Sequence, residues 1–193
     1  MKRALIGYGG HAREVISQMG IQLPCFVDDE YVVEGSTPIS KFDPDQYEVI
    51  VAIADPKKRF EMVKRLPENT KYFTWIHPTA LIMGNDIEIG KGSFVGAYSI
   101  LTTNIKIGEH AILNRTNHIG HDCVIGSFFS AMPGSVVSGN VTIFDCVYLG
   151  NNSSVKEKTS IHSLVTIGMN AAVVNSIEEA GIFVGVPTKK IEK

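Results

Sequence analysis

Residues 89–173 read, cut into sixes, IGKGSF VGAYSI LTTNIK IGEHAI LNRTNH IGHDCV IGSFFS AMPGSV VSGNVT IFDCVY LGNNSS VKEKTS IHSLVT IGMNAA V. The first position of each hexad is aliphatic without exception: Ile89, Val95, Leu101, Ile107, Leu113, Ile119, Ile125, Ala131, Val137, Ile143, Leu149, Val155, Ile161, Ile167 and Val173. With aliphatics filling roughly a third of an average chain, such a run in one phase has a chance probability well below about one in a million. The next position is often glycine, as at Gly90, Gly108, Gly120 and Gly150, and the fifth is mostly small or β-branched. A helix cannot hold a period of six on one face, because its roughly 3.6 residues per turn carry the stripe away within two repeats. Short strands joined by turns can. Three hexads close one triangular coil of roughly 18 residues, each inward aliphatic stacking on its equivalent in the next coil, so the run predicts about five coils of a parallel β-helix. The phase never slips, so no loop leaves the stack.

Ahead of the repeat the texture differs. Ala4-Leu5-Ile6 ends in Gly7-Tyr8-Gly9-Gly10, after which Ala12, Val15, Ile16 and Met19 recur on one helical face. Cys25-Phe26-Val27 ends in Asp28-Asp29, and Val49 to Ile53 leads into Asp55-Pro56, an N-cap followed by proline at the first helical position. The next helix carries Phe60, Val63 and Leu66 as its apolar stripe. Strands alternating with helices predict a parallel α/β unit of Rossmann-like type. The expected architecture is therefore an α/β Rossmann-like half-domain over residues 1–78 and an all-β parallel β-helix over 79–193.

Composition limits what such a chain does. Hydrophobic residues at 44% and charged residues at 20% of 193 describe a globular protein able to bury a core without disulfides. A net charge of −2 argues against a nucleic-acid partner. No apolar run reaches the roughly 18 residues of a membrane span, and the opening lacks a secretory pattern, which gives a cytoplasmic expectation with no membrane partner. Cys25, Cys123 and Cys146 are odd in number and never paired as Cys-x-x-Cys, so neither a disulfide framework nor a zinc knuckle is expected.

The repeat, taken with Gly7-Tyr8-Gly9-Gly10-His11, Phe26-Val27-Asp28-Asp29, His121-Asp122-Cys123-Val124-Ile125-Gly126, Ser138-Gly139-Asn140-Val141 and Val184-Gly185-Val186-Pro187, resembles the hexapeptide-repeat acyltransferases. The set is most similar to bacterial sugar acetyltransferases that N-acetylate UDP-, dTDP- or GDP-linked amino sugars, with sialic acid O-acetyltransferases as relatives. The resemblance implies a left-handed coil, acetyl-coenzyme A as co-substrate, no metal, and a homotrimer with active sites between subunits. It also implies His121 as general base, Asp122 as its orienter and Gly139 as oxyanion donor. A substrate pocket is implied at Asn114, His118 and Ser130, the last standing where relatives often carry a second histidine. Coenzyme contacts are implied at Gly139, Gly185 and Pro187.

Some of these assignments have independent support in the residues. Acetyl transfer to an amine needs a proton acceptor and a donor for the developing oxyanion, and histidine titrates near working pH. Gly139 lies one coil beyond His121, which leaves room for a thioester and exposes a backbone N–H. Gly7, Gly9 and Ala12 fit Gly-x-Gly-x-x-Gly/Ala between a strand and a helix, with Asp28 about twenty residues on. Gly7, Gly9, Gly10, His11, Asp28 and Asp29 are thus the expected nucleotide-sugar contacts. The unit is too short for a full dinucleotide fold. Three other readings stay open on the residues alone: O-acetylation of a sugar hydroxyl, a zinc-dependent carbonic anhydrase-like hydratase using His118, His121 and Asp122, and a scaffold that binds a nucleotide sugar without catalysis.

Overall fold

A computed structural model describes residues 1–192. The N-terminal unit holds β1 (Lys2–Ile6), α1 (Gly10–Met19), β2 (Cys25–Val27), β3 (Thr37–Pro38), β4 (Tyr47–Val51), α2 (Pro56–Arg65) and β5 (Lys71–Tyr72), with two short 3-10 turns between β2 and β4. Its strands form one parallel sheet in the order β3-β2-β1-β4-β5. Leu5 and Ile50 pack with Ala12 and Val15 of α1 on one side of the sheet. Ala4, Ile6, Val49 and Val51 pack with Met62 and Leu66 of α2 on the other. Helices on both faces explain why β1 and β4 read as continuous apolar runs rather than alternating ones.

The two helices begin differently. Asp55 caps α2 as expected, its carboxylate accepting from the Lys58 N–H at 3.0 Å, with Pro56 in the first turn. Gly9 precedes α1 and supplies no side-chain cap, so the first-turn N–H groups of α1 have no side-chain acceptor at their start. The stripe expected on α2 is met in part: Leu66 is buried and Val63 packs half-buried against the sheet core. Pro56, Arg59 and Met62 are buried as well, while Phe60 sits half-buried, edge-on to Phe128 at 5.2 Å.

From Trp75 the chain winds into a left-handed prism. Its first strand, Trp75–Ile76, lies a few residues ahead of the boundary expected at 79. Each strand pairs in parallel with the one a coil later, as in Ile112 with Ser130, His118 with Val136 and Val124 with Thr142. Face 1 has eight strands from Trp75–Ile76 onward, face 2 six from Leu81–Ile82 to Ala172–Val173, and face 3 five from Ile87–Ile89 to Ser160–Ile161. Face 1 ends in an antiparallel hairpin, Gly181–Val184 against Lys189–Ile191. The aliphatic ladder read from the hexads fills the interior, from Val95 through Val173. The glycine that follows the aliphatic is required by the neighbouring coil: a Cβ on Gly90 would lie 2.5 Å from the carbonyl carbon of Gly108.

The N-terminal unit covers face 1. At the edge between faces 1 and 2, Gln18 of α1 accepts from the Ala97 N–H at 2.9 Å, and Glu14 pairs with Arg115 at 3.3 Å. At the edge between faces 3 and 1, Arg59 of α2 donates to the carbonyls of His110 and Phe128. Trp75 stacks on Phe94 between them at 5.2 Å. The remaining edge, between faces 2 and 3, carries His121 and is left uncovered by the chain's own N-terminal unit.

Candidate active site

His121 and Asp122 form the turn between strands His118–Ile119 and Val124–Ile125. The imidazole Nδ1 and the Asp122 Oδ2 lie 2.7 Å apart, and the other carboxylate oxygen accepts from the Asn104 side-chain amide at 2.6 Å. These two hydrogen bonds, the one from His121 first, hold the Asp122 carboxyl below the usual carboxylate range. An ionised carboxylate only accepts, so the neutral imidazole carries its proton on Nδ1 and leaves the Nε2 lone pair free. The ring and the carboxylate are both exposed to solvent.

Gly139 lies directly over that ring, as the coil arithmetic predicts. A Cβ built on Gly139 would stand 2.5 Å from Nε2 and 2.6 Å from Cε1 of His121. The physical reason differs from the expected one. The space that glycine leaves is taken by the imidazole itself rather than held open for a thioester. The Gly139 N–H has no acceptor among the described residues, while its carbonyl accepts from Lys158 at 3.2 Å. Imidazole, carboxylate and a free backbone N–H thus share one edge of the prism.

The expected nucleotide contacts divide. Gly7, Gly9 and Asp28 line a cleft of about 560 Å³ at the carboxyl ends of β1 and β4, together with Tyr31, Ile53 and Met62. Gly7 adopts φ of 111°, a left-handed conformation that frees its N–H to bond Phe26. Asp28 is already paired with Arg65. Asp29 faces away from this cleft and accepts from the Ser40 N–H at 3.1 Å. Gly10 opens α1 and is exposed. His11 turns toward the prism, edge-on to Phe94 at 6.2 Å, with both ring nitrogens unpartnered. Burial, and then the charge of Arg59, push its pKa down to about 4, so it is a neutral packing residue here. A larger cleft, about 740 Å³ between the start of α2 and face 1 near Lys57, Tyr148 and Thr166, contains none of the expected residues.

The pocket and coenzyme assignments are not gathered at one place within a chain. His118 projects outward from face 2, three residues before His121, and is exposed. Asn114 is buried at the edge between faces 1 and 2, where its amide donates to Glu14 at 3.3 Å and its oxygen accepts from the Arg115 N–H. Ser130 corrects the expectation placed on it. It is fully buried on face 1, its hydroxyl donating to the Ala54 carbonyl and accepting from Arg59, both at 2.8 Å, which uses it as an interdomain link. Gly185 and Pro187 sit beside the last strand of face 2, where the Gly185 carbonyl accepts from the Ala172 N–H, coils away from His121 and on another edge.

Three residues of consequence escaped the sequence reading. Asn104, which braces Asp122, sits one coil before it, and the same 18-residue offset that pairs the strands would have found it. Arg59 and His110 are buried at the seam between the two units, His110 stacked on Phe128 at 5.0 Å. Nothing in their sequence surroundings marks them. Among the described residues no three His, Cys, Asp or Glu side chains are grouped to hold a metal ion, and no helix is long and apolar enough to cross a membrane.

The chain is a Rossmann-like unit mounted on a hexapeptide prism, with a histidine–carboxylate pair under a glycine on the free edge. The comparisons agree. Residues 2–66 match the family described as the PglD N-terminal domain. WeeI from Acinetobacter baumannii AYE superposes with a TM-score of 0.87 at 26% identity, over 99% of this chain and all of that one. The acetyltransferase domain of PglB from Neisseria gonorrhoeae FA1090 gives 0.86 at 25% identity, over 98% and 99%, and that domain has also been solved with acetyl coenzyme A. GDP-perosamine N-acetyltransferase of Escherichia coli O157:H7 is 30% identical over 108 residues, 55% of this chain and 48% of that enzyme. The match therefore spans about half the length of that curated relative. Over nearly its whole length the chain is thus similar to acetyltransferases of this kind, and its residues 2–66 match the PglD N-terminal domain family.

Proposed function

We propose that the chain is a cytoplasmic, acetyl-coenzyme A-dependent N-acetyltransferase of a nucleotide-linked amino sugar, working as a homotrimer whose sites form between subunits. The observation that carries this reading is the His121 edge: an imidazole with a free Nε2, oriented by an ionised carboxylate, beside an unbonded backbone N–H. In the reaction the sugar amine attacks the thioester carbonyl and loses its proton to Nε2. Asp122 stabilises the imidazolium through Nδ1–H. The Gly139 N–H donates to the oxyanion of the tetrahedral intermediate. The C–S bond then breaks, the coenzyme leaves as a thiol after taking up the proton, and an amide remains. The names of the Escherichia coli enzyme and of the acetyl-coenzyme A complex of the PglB domain support this choice of acceptor and donor.

The nucleotide end is assigned to the cleft of Gly7, Gly9 and Asp28, beside the uncapped start of α1, where free N–H groups and the helix dipole favour a diphosphate. That cleft belongs to the unit on face 1, and His121 stands on the opposite edge of the prism. One chain cannot bring its own cleft to its own base, so the geometry favours a cyclic oligomer in which each cleft serves a neighbour's histidine. A thermal-shift screen with UDP-, dTDP- and GDP-linked amino sugars, GDP-perosamine among them, identifies the acceptor. With that acceptor, His121→Ala is expected to lower kcat by about a hundredfold or more and leave both thermal shifts in place, while His118→Ala does much less. Equal losses in the two variants, or activity restored by zinc, would overturn the assignment.

A further inference from the structure

Arg59 is the one fully buried lysine or arginine among the described residues, and no carboxylate pairs with it there. A guanidinium has five N–H groups, and this one meets six acceptors. Two belong to its own unit, the carbonyls of Ile53 at 2.5 Å and Ala54 at 3.2 Å. Four belong to the prism: the carbonyls of His110 at 2.9 Å, Phe128 at 2.9 Å and Phe129 at 3.0 Å, and the Ser130 hydroxyl at 2.8 Å. Ser130 closes the circuit by donating to Ala54. We propose that Arg59 is a positioning residue, which locks the nucleotide cleft in one pose on the prism so that an acceptor held there reaches the base on the neighbouring subunit.

The proposal rests on the function argued above and on three features of the seam. First, the residues tied are those that shape the cleft: Ile53 lines it, and Ala54 leads from it into the cap of α2. Second, the charge is met by carbonyl dipoles. Backbone carbonyls have fixed directions, whereas a carboxylate on a side chain follows the cation when it moves, so this arrangement tolerates less displacement than an ion pair would. Of the anions near the seam, Asp55 favours the Arg59 cation only through space and Glu14 is paired with Arg115 at the other edge. His11 and His110 are buried and held neutral, with Tyr72 edge-on to His110 at 4.5 Å, and Asp55 spends its carboxylate on capping α2. Third, the aromatic contact beside Arg59, Phe60 on Phe128, is far less directional than hydrogen bonding, and the other polar ties across the seam, Gln18 to Ala97 and Glu14 to Asn114 and Arg115, lie at the other edge of face 1. A misplacement of about 1 Å between reacting groups costs about a hundredfold in rate, so a device that sets the pose acts on turnover rather than on affinity.

The test uses the full-length protein with Arg59→Lys, which keeps the charge but offers three N–H groups, and Ser130→Ala, which deletes one link. Hydrogen exchange is expected to rise at residues 53–56 and 128–130 in both. With the nucleotide-linked acceptor returned by the screen, kcat is expected to fall about 10- to 100-fold in Arg59→Lys and about threefold in Ser130→Ala, with both KM values within about threefold. Transfer to hydroxylamine, which needs His121 but no cleft, stays within about twofold of wild type. A parallel fall with both acceptors would make Arg59 merely structural and overturn the proposal, as would unchanged exchange or an unchanged ratio of the two rates. Should Arg59→Lys fail to fold, the same ratio in Ser130→Ala decides. A wild-type protein that acetylates no nucleotide-linked amine removes the function and this proposal together, whereas an active wild type with an unaltered ratio in the variants removes this proposal alone.

Discussion

At residue scale the site is made by contacts one coil apart, and Gly139 shows what this means for a mutation. Gly139 is not among the residues with positive φ, so alanine suits its backbone. What alanine meets is the end of a side chain: its Cβ would stand within 2.6 Å of Nε2 and Cε1 of His121, closer than van der Waals contact allows. The imidazole is exposed and free to swing, so the ring gives way rather than the coil. Gly139→Ala is therefore expected to leave the melting temperature within about 2 °C and to lower kcat about a hundredfold, the scale of a displaced general base. Added to His121→Ala it should cost nothing further, because both act through one ring. A Gly139→Ala enzyme that turns over normally would show that the ring is not held beneath that glycine. The contrast with Gly90 is one of partner: there a Cβ meets the backbone of the next coil, which cannot move aside, and the expected damage is to folding.

At the scale of the element, the prism was largely legible because its rule is one of period. The inward ladder, the unbroken phase and the 18-residue coil all follow from aliphatics every six residues, and the start and cap of α2 followed from Asp55-Pro56. The price of turning each corner was not legible. Every sixth residue from Gly92 to Asn170 has a left-handed backbone, and asparagine or aspartate at 104, 122, 140, 152 and 170 tolerate it, but Tyr98, Thr116, Phe128 and Leu164 hold it too. Residue type does not mark the corner, because stacking of the coils overrides local preference. The buried Arg59 was hidden for a related reason: its partners are almost all main-chain carbonyls, which any sequence supplies, so the helix reads as though that position faced water. Strain of this kind is measurable. Thr116 is exposed, β-branched and held at φ of 59°. Thr116→Asn is expected to stabilise by about 1 kcal/mol and raise the melting temperature by about 2–4 °C in scanning calorimetry. A lower melting temperature would mean that the hydroxyl bond to the Arg115 carbonyl outweighs the backbone strain.

For the whole molecule, the proposed assembly has a direct consequence: with the cleft on face 1 and the base on the opposite edge, no subunit of it would be complete alone. Two variants disable the halves separately. His121→Ala removes the base. Gly9→Asp puts a carboxylate at the start of α1, where no atom lies within 4 Å of the added Cβ and aspartate suits the cap, so the fold is retained while a diphosphate is repelled. Each variant alone should be nearly inactive. If they are unfolded together and refolded at equal concentration into mixed trimers, a site works only when an intact cleft from one subunit meets an intact histidine from the next. Each half is intact with a probability of one in two, so about a quarter of wild-type activity should return on random assembly. Mixing without exchange of subunits gives none, which supplies the control. Recovery absent after verified subunit exchange would mean that cleft and base act within one chain, and the two would then have to move toward each other by rotation of the N-terminal unit about the Arg59 seam.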